Sequence, residues 1–87
     1  MTPAKGAAFH FTNHALAMMA ERSIAREWVE RTLLEPEHVE PDPRHAAVLR
    51  AFRPLPERDG RVLRVVYRHV DTHFHVITMF LDRGRSK

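Results

Sequence analysis

Arg61-Val62-Leu63-Arg64-Val65-Val66-Tyr67-Arg68-His69-Val70, then Asp71-Thr72, then His73-Phe74-His75-Val76-Ile77-Thr78-Met79-Phe80-Leu81: this stretch decides the fold. Both runs are rich in β-branched and aromatic residues, which suit a pleated, half-buried surface. Asp71-Thr72 reads as a tight link, so the stretch is an antiparallel hairpin. The pairing expected is Val70 with His73, Tyr67 with Val76, Val65 with Thr78 and Leu63 with Phe80. One face then carries Leu63, Val65, Tyr67, Phe74, Val76, Thr78 and Phe80. The other carries Val62, Arg64, Val66, Arg68, His75, Ile77, Met79 and Leu81. The first face is the less charged and is expected to take whatever helices the chain provides.

Upstream, the hydrophobic period becomes that of a helix. Thr12 is a good N-cap, since its hydroxyl can accept from a backbone N–H two or three residues on. Ala15, Leu16, Met18, Met19 and Arg22 then follow helical spacing to about Ser23. A second helix is predicted over 25–35, with Trp28, Val29, Thr32 and Leu33 inward and Glu27, Glu30 and Arg31 outward. Pro36 ends it, because the residue before a proline is disfavoured in a helix. His38-Val39-Glu40 reads as a short strand stopped by Pro41-Asp42-Pro43, 46–52 as a further strand, 54–60 as a connection and 82–87 as a polar, mobile tail. Phe9, Phe11 and Trp28 read as staple and core residues. The predicted fold class is α+β: two N-terminal helices packed on a three- to four-stranded antiparallel sheet.

A chain of 87 residues has room for one core, so the expectation is a single domain with an ordered core over about 9–82. Cysteine is absent, which excludes disulfides, thiolate metal sites and cysteine nucleophiles. No apolar run approaches the roughly 20 residues that a membrane helix needs. Residues 1–6 lack the apolar region of a signal peptide, so a soluble, cytoplasmic protein without a membrane partner is expected. The net charge is +3, unevenly spread. Residues 1–43 carry four basic and seven acidic side chains, whereas residues 44–87 carry ten basic and four acidic ones. Twelve of the fourteen basic residues are arginine, whose planar fork grips phosphate bidentately. An arginine-rich half favours a polyanion such as RNA, or an acidic protein partner.

His14, Met18 and Arg22 lie four apart and share one side of the first helix. That side is expected to meet the sheet near Tyr67 and Thr78. Such a set has the parts for cutting RNA through its 2′-hydroxyl. An imidazole can move the proton, and arginines can hold the phosphate as charge develops on it. A tyrosine or threonine hydroxyl can donate to a phosphate oxygen, and no metal or other cofactor is required. The alternative is structural: a histidine near a helix start, arginines paired internally with Glu21 or Asp82, and ordinary strand residues at Tyr67 and Thr78. His73 with His75, and His10 with His14, are the only pairs that suggest a metal. Neither has a carboxylate at a diagnostic spacing, so no metal site is expected.

Phe11-Thr12, His14-Ala15, Met19, Glu21-Arg22 and Ile24 form one set of residues with Val29, Leu33, Pro36-Glu37, Leu63 to Tyr67 and Val76-Ile77-Thr78. In that order and spacing the chain resembles the bacterial domain-of-unknown-function family numbered four-two-five-eight, over about 9–83. That family is commonly grouped by fold analogy with the RelE-like, barnase-like and colicin-like (BECR) toxin nucleases. The resemblance implies a RelE-like toxin that cleaves RNA and is neutralised by an antitoxin, with His14, Arg22, Arg64, Tyr67 and Thr78 as the catalytic positions. The alternative on the same fold is a non-enzymatic partner-binding module or a small regulatory dimer. Ala25 departs from the small capping residue usual in that family at the start of the second helix. Val62, Val66, Ile77, Met79 and Leu81 are expected to form an uncovered apolar stripe, which would call for a homodimer or an antitoxin segment.

Overall fold

The structure, a computed structural model, describes residues 8–86, with the side chains of 8–82. The expectations for residues 1–6 and for Lys87 lie outside the described residues. The order of elements is β1 (Ala8–Phe11), α1 (Asn13–Arg22), α2 (Arg26–Leu34), β2 (His38–Pro41), β3 (Leu49–Leu55), β4 (Arg61–Val70) and β5 (His73–Ser86). The strands form one five-stranded sheet in the order β1-β5-β4-β3-β2. The α+β class and the two helices are as expected, but the sheet is mixed. β1 joins β5 in parallel, Ala8 opposite His73 through Phe11 opposite Val76. Phe9 and Phe11 are therefore strand residues rather than a helix staple, and Phe9 stacks on Phe74 with ring centroids 5.3 Å apart.

Three further boundaries moved for local reasons. Residues 42–48 form a turn, in which Asp42 accepts from the Arg44 N–H at 2.8 Å and donates its own N–H to the Val48 carbonyl. That turn delays β3 to Leu49, while pairing with β4 carries it through Pro54 to Leu55. The expected connection shrinks to one 3-10 turn, Pro56–Arg58, and the Asp59-Gly60 pair, both in left-handed backbone. The expected tail is strand to Ser86, because Arg61 still finds a partner there.

The hairpin keeps its expected register only from Val70–His73 to Tyr67–Val76. The next pair is Val66 with Thr78, so the ladder skips Ile77 and β5 carries a bulge there. A bulge reverses which side every later residue faces. Met79 is therefore buried with Leu63, Val65, Tyr67 and Val76 beneath the helices, and Leu81 packs against that core. Thr78 and Phe80 point to the opposite face, where both had been expected inside. The expected apolar stripe does not exist: Met79 is in the core and Val62 is itself buried.

Thr12 fixes this arrangement. Its backbone N–H donates to the Val76 carbonyl and its hydroxyl donates to the Ile77 carbonyl, each at 3.1 Å. The same Oγ1 accepts from the Ala15 N–H at 3.0 Å, capping α1 as predicted. α1 and α2 then bury Ala15, Val29, Thr32 and Leu33 against the sheet. Ala25, as its side chain requires, gives α2 no capping bond. The other sheet face buries Phe52 and Val62 around a polar network rather than under a helix.

Two expectations follow. Met79→Ala should destabilise the protein by about 2–5 kcal/mol, as for other buried large-to-small changes, whereas Thr78→Ala should change stability by less than about 1 kcal/mol. Urea unfolding measures both, and the reverse ranking would mean that β5 runs without the bulge. Thr12→Val should lower stability by about 1–2 kcal/mol through the lost cap and strand bond, with Thr12→Ser close to wild type.

Candidate nucleic-acid interface

The chain leaves α1 through a tight end. Ser23 lies just past the helix at φ 55° and ψ 48°, and the Ile24 and Ser23 N–H groups donate to the Met19 and Ala20 carbonyls. This is a Schellman closure, with Ile24 buried beside it. Arg22 occupies the last helical position, where the negative end of the helix dipole favours a cation. Arg58 approaches the same end from the 3-10 turn, its guanidinium donating to the Ser23 carbonyl at 3.4 Å.

Arg22, Arg58 and Arg61 line a cavity of about 560 Å³ together with Phe80 and Leu81. No carboxylate lies among these lining residues, and none of the three arginines is ion-paired among the described residues. The bulge at Ile77 places Phe80 on the sheet face away from the helices, with Arg64. Arg58 is presented by a clamped turn: its neighbour Glu57 takes a bidentate pair from Arg31 of α2, at 3.0 and 2.7 Å. The hydrogen bonds from Arg31, helped by a backbone N–H, hold the Glu57 carboxyl at about 2, against an ordinary 4.5.

Arg64 faces away from the helices. It donates through Nε and Nη2 to Asp82 at 3.2 and 2.8 Å. Its guanidinium also lies over the Phe80 ring at 4.6 Å and near the Phe52 ring at 5.6 Å. This is the internal pairing to Asp82 that the structural alternative named. Thr78 shares the same face, opposite Val66. Glu40 pairs with Arg50 at 3.1 Å further across that face.

The five sequence-predicted positions do not form one cluster. Tyr67 is buried on the helix side, 5.7 Å in ring centroids from Phe74, and burial pushes its phenol above the ordinary value. Thr78 and Arg64 lie on the opposite side of the sheet. His14 is exposed in the first turn of α1 with no side-chain hydrogen bond among the described residues. Arg22 stands two turns on, about 12 Å along the axis at ~1.5 Å per residue. Its guanidinium, however, reaches back to the Met18 sulfur and so lies one turn nearer His14. Arg58, Arg61 and Phe80 were missed. The two arginines flanking the Asp59-Gly60 turn were a visible signal, whereas Phe80 depends on the bulge.

His10 and His75 sit opposite each other on β1 and β5, ring centroids 5.4 Å apart. Among the described residues, no group of three or more histidines and carboxylates is arranged to hold a metal ion. No helix among them is long and apolar enough to cross a membrane.

The family described as "Domain of unknown function (DUF4258)" matches residues 11–80, and the chain belongs to it. Comparison with curated proteins and with solved structures gives no match.

The clamp on Glu57 has a pH signature. Its folded-state value is depressed, so the pair contributes stability above the unfolded value near 4.5, and that contribution is lost as pH falls toward about 2. Carboxyl NMR should give a Glu57 midpoint near 2 in the wild type, returning toward 4.5 in Arg31→Gln. An ordinary wild-type midpoint would show that the turn carrying Arg58 is not held.

Proposed function

We propose that this member of the DUF4258 family binds RNA through the cavity of Arg22, Arg58 and Arg61, and acts there as a RelE-like toxin nuclease without a metal. One observation carries the reading: three arginines line a single cavity, and no carboxylate is found among its described lining residues. Like charges gathered this way repel one another and are relieved by a polyanion. Arginine forks suit phosphate oxygens in particular.

In this reading His14 takes the proton from a ribose 2′-hydroxyl as that oxygen attacks phosphorus. The 5′-oxygen leaves and is protonated from water, giving a 2′,3′-cyclic phosphate and a free 5′-hydroxyl. Arg22, its guanidinium one turn from His14, stabilises the charge gathering on the phosphate. Arg64 and Tyr67 serve the fold, Arg64 as the partner of Asp82 and Tyr67 as a core residue. An antitoxin would then be a protein that covers the cavity with carboxylates. The second reading is a non-enzymatic module on the same fold. It is favoured by the separation of Tyr67 from the exposed His14 and Arg22.

Fluorescence anisotropy with a labelled RNA at low salt tests binding. Arg22→Lys, Arg58→Ala and Arg61→Ala should each weaken binding roughly 10-fold or more, as charge-assisted bonds are lost. His14→Ala should bind normally and lose roughly 100- to 10,000-fold in cleavage. Absence of RNA binding by the wild type would end the nucleic-acid reading. Wild-type binding without cleavage would leave the non-enzymatic module.

A further inference from the structure

Phe80 is the aromatic residue that lines the arginine cavity, and a guanidinium group packs on its ring. Arg64 lies on it at 4.6 Å, and Arg64 is itself pinned by two bonds to Asp82 and by its approach to Phe52. A ring fixed by its neighbours has little rotamer freedom left to lose when something stacks on it. Arg64 lies over the ring on the sheet face away from the helices, and Phe80 lines the cavity together with Leu81. The cavity therefore brings one aromatic residue together with three arginines. A phosphate-only site would have no use for the ring, and an acidic peptide would have little.

We propose that the cavity takes a single-stranded polynucleotide, with one base stacked on Phe80 and the flanking phosphates held by Arg22, Arg58 and Arg61. The proposal rests on the RNA-binding reading and narrows its substrate. Bases within a duplex have both faces covered by their neighbours, so only an unpaired, unstacked base can offer a face to the ring. The volume, about 560 Å³, lies within the roughly 300–1,000 Å³ common for small-ligand sites, enough for one nucleotide.

Anisotropy at low salt with three probes tests this: a short single-stranded RNA, the same sequence as a duplex, and a single strand with abasic positions. The wild type should prefer the base-bearing single strand by at least 10-fold. Phe80→Leu, which keeps an apolar side chain, should weaken that probe roughly 5- to 100-fold and leave the abasic strand unchanged. Phe80→Trp should match or exceed the wild type. Three phosphate contacts on a single strand should give a slope of log affinity against log salt of about −2. Equal binding of all three probes, or no effect of Phe80→Leu where Arg58→Ala still weakens binding, would overturn the stacking proposal and leave RNA binding intact. If none of the probes binds while oligoglutamate does, in an arginine-dependent way, both readings fall and the cavity is a docking site for an acidic protein.

Discussion

The hydroxyl of Thr12 makes two bonds that the rest of the structure depends on. One caps α1 and the other holds the carbonyl of Ile77, the residue at the bulge in β5. A threonine directly after β1 supplies that donor while it starts the next helix. The same residue thus sets where the helix begins, where the parallel pairing ends and on which residue the sheet changes phase. The phase change sends Met79 into the core, packs Leu81 against it and turns Phe80 to the face of Arg64. Core and cavity are two outcomes of one local event.

Charge is sorted in a comparable way. Arg26, Arg31, Arg50 and Arg64 are each paired with a carboxylate, and Arg53 donates to the Glu35 carbonyl. The Arg26 pair lies within α2, and the others join one element to another. Arg22, Arg58 and Arg61 line one cavity without such a partner among the described residues. Exposed ion pairs contribute little to stability, typically about 0–1 kcal/mol each. Their larger effect here is on position: the pair between Arg31 and Glu57 fixes the turn that carries Arg58. The arginine-rich second half of the chain is therefore divided between fasteners and a concentrated cationic site.

What could be read from the sequence was what nearby residues decide. The cap at Thr12, the helix ending before Pro36, β4 over Arg61–Val70 and the Asp71-Thr72 link all follow from local chemistry, and all are present. β1 was hidden because four residues, Ala8–Phe11, become a strand only when β5 offers an edge. The bulge was hidden because counting by twos assumes an unbroken ladder. A trace of it does exist: the apolar positions shift parity between Val76 and Met79, with Ile77 as an extra apolar residue between them. For the site, the histidine and arginine of α1 were legible as a shared helix side. The convergence of Arg58, Arg61 and Phe80 was not, since it needs the turn, the bulge and the helix end in one place.

The parallel pairing of β1 with β5 also bears on how the chain reaches this state. Residue 8 must meet residue 73, so one edge of the sheet waits for nearly the whole length of the sequence. Closing so long a loop is an entropic cost that rises slowly with length but has to be met before the contact rewards it. Folds dominated by such non-local pairings fold in milliseconds to seconds rather than microseconds. During synthesis the helices can form early, while β1 stays unpaired until β5 has emerged. The cap on α1 can form before then, but the bond from Thr12 to Ile77 cannot. The phase of β5, and with it the cavity, is thus among the last features to be fixed as the protein folds.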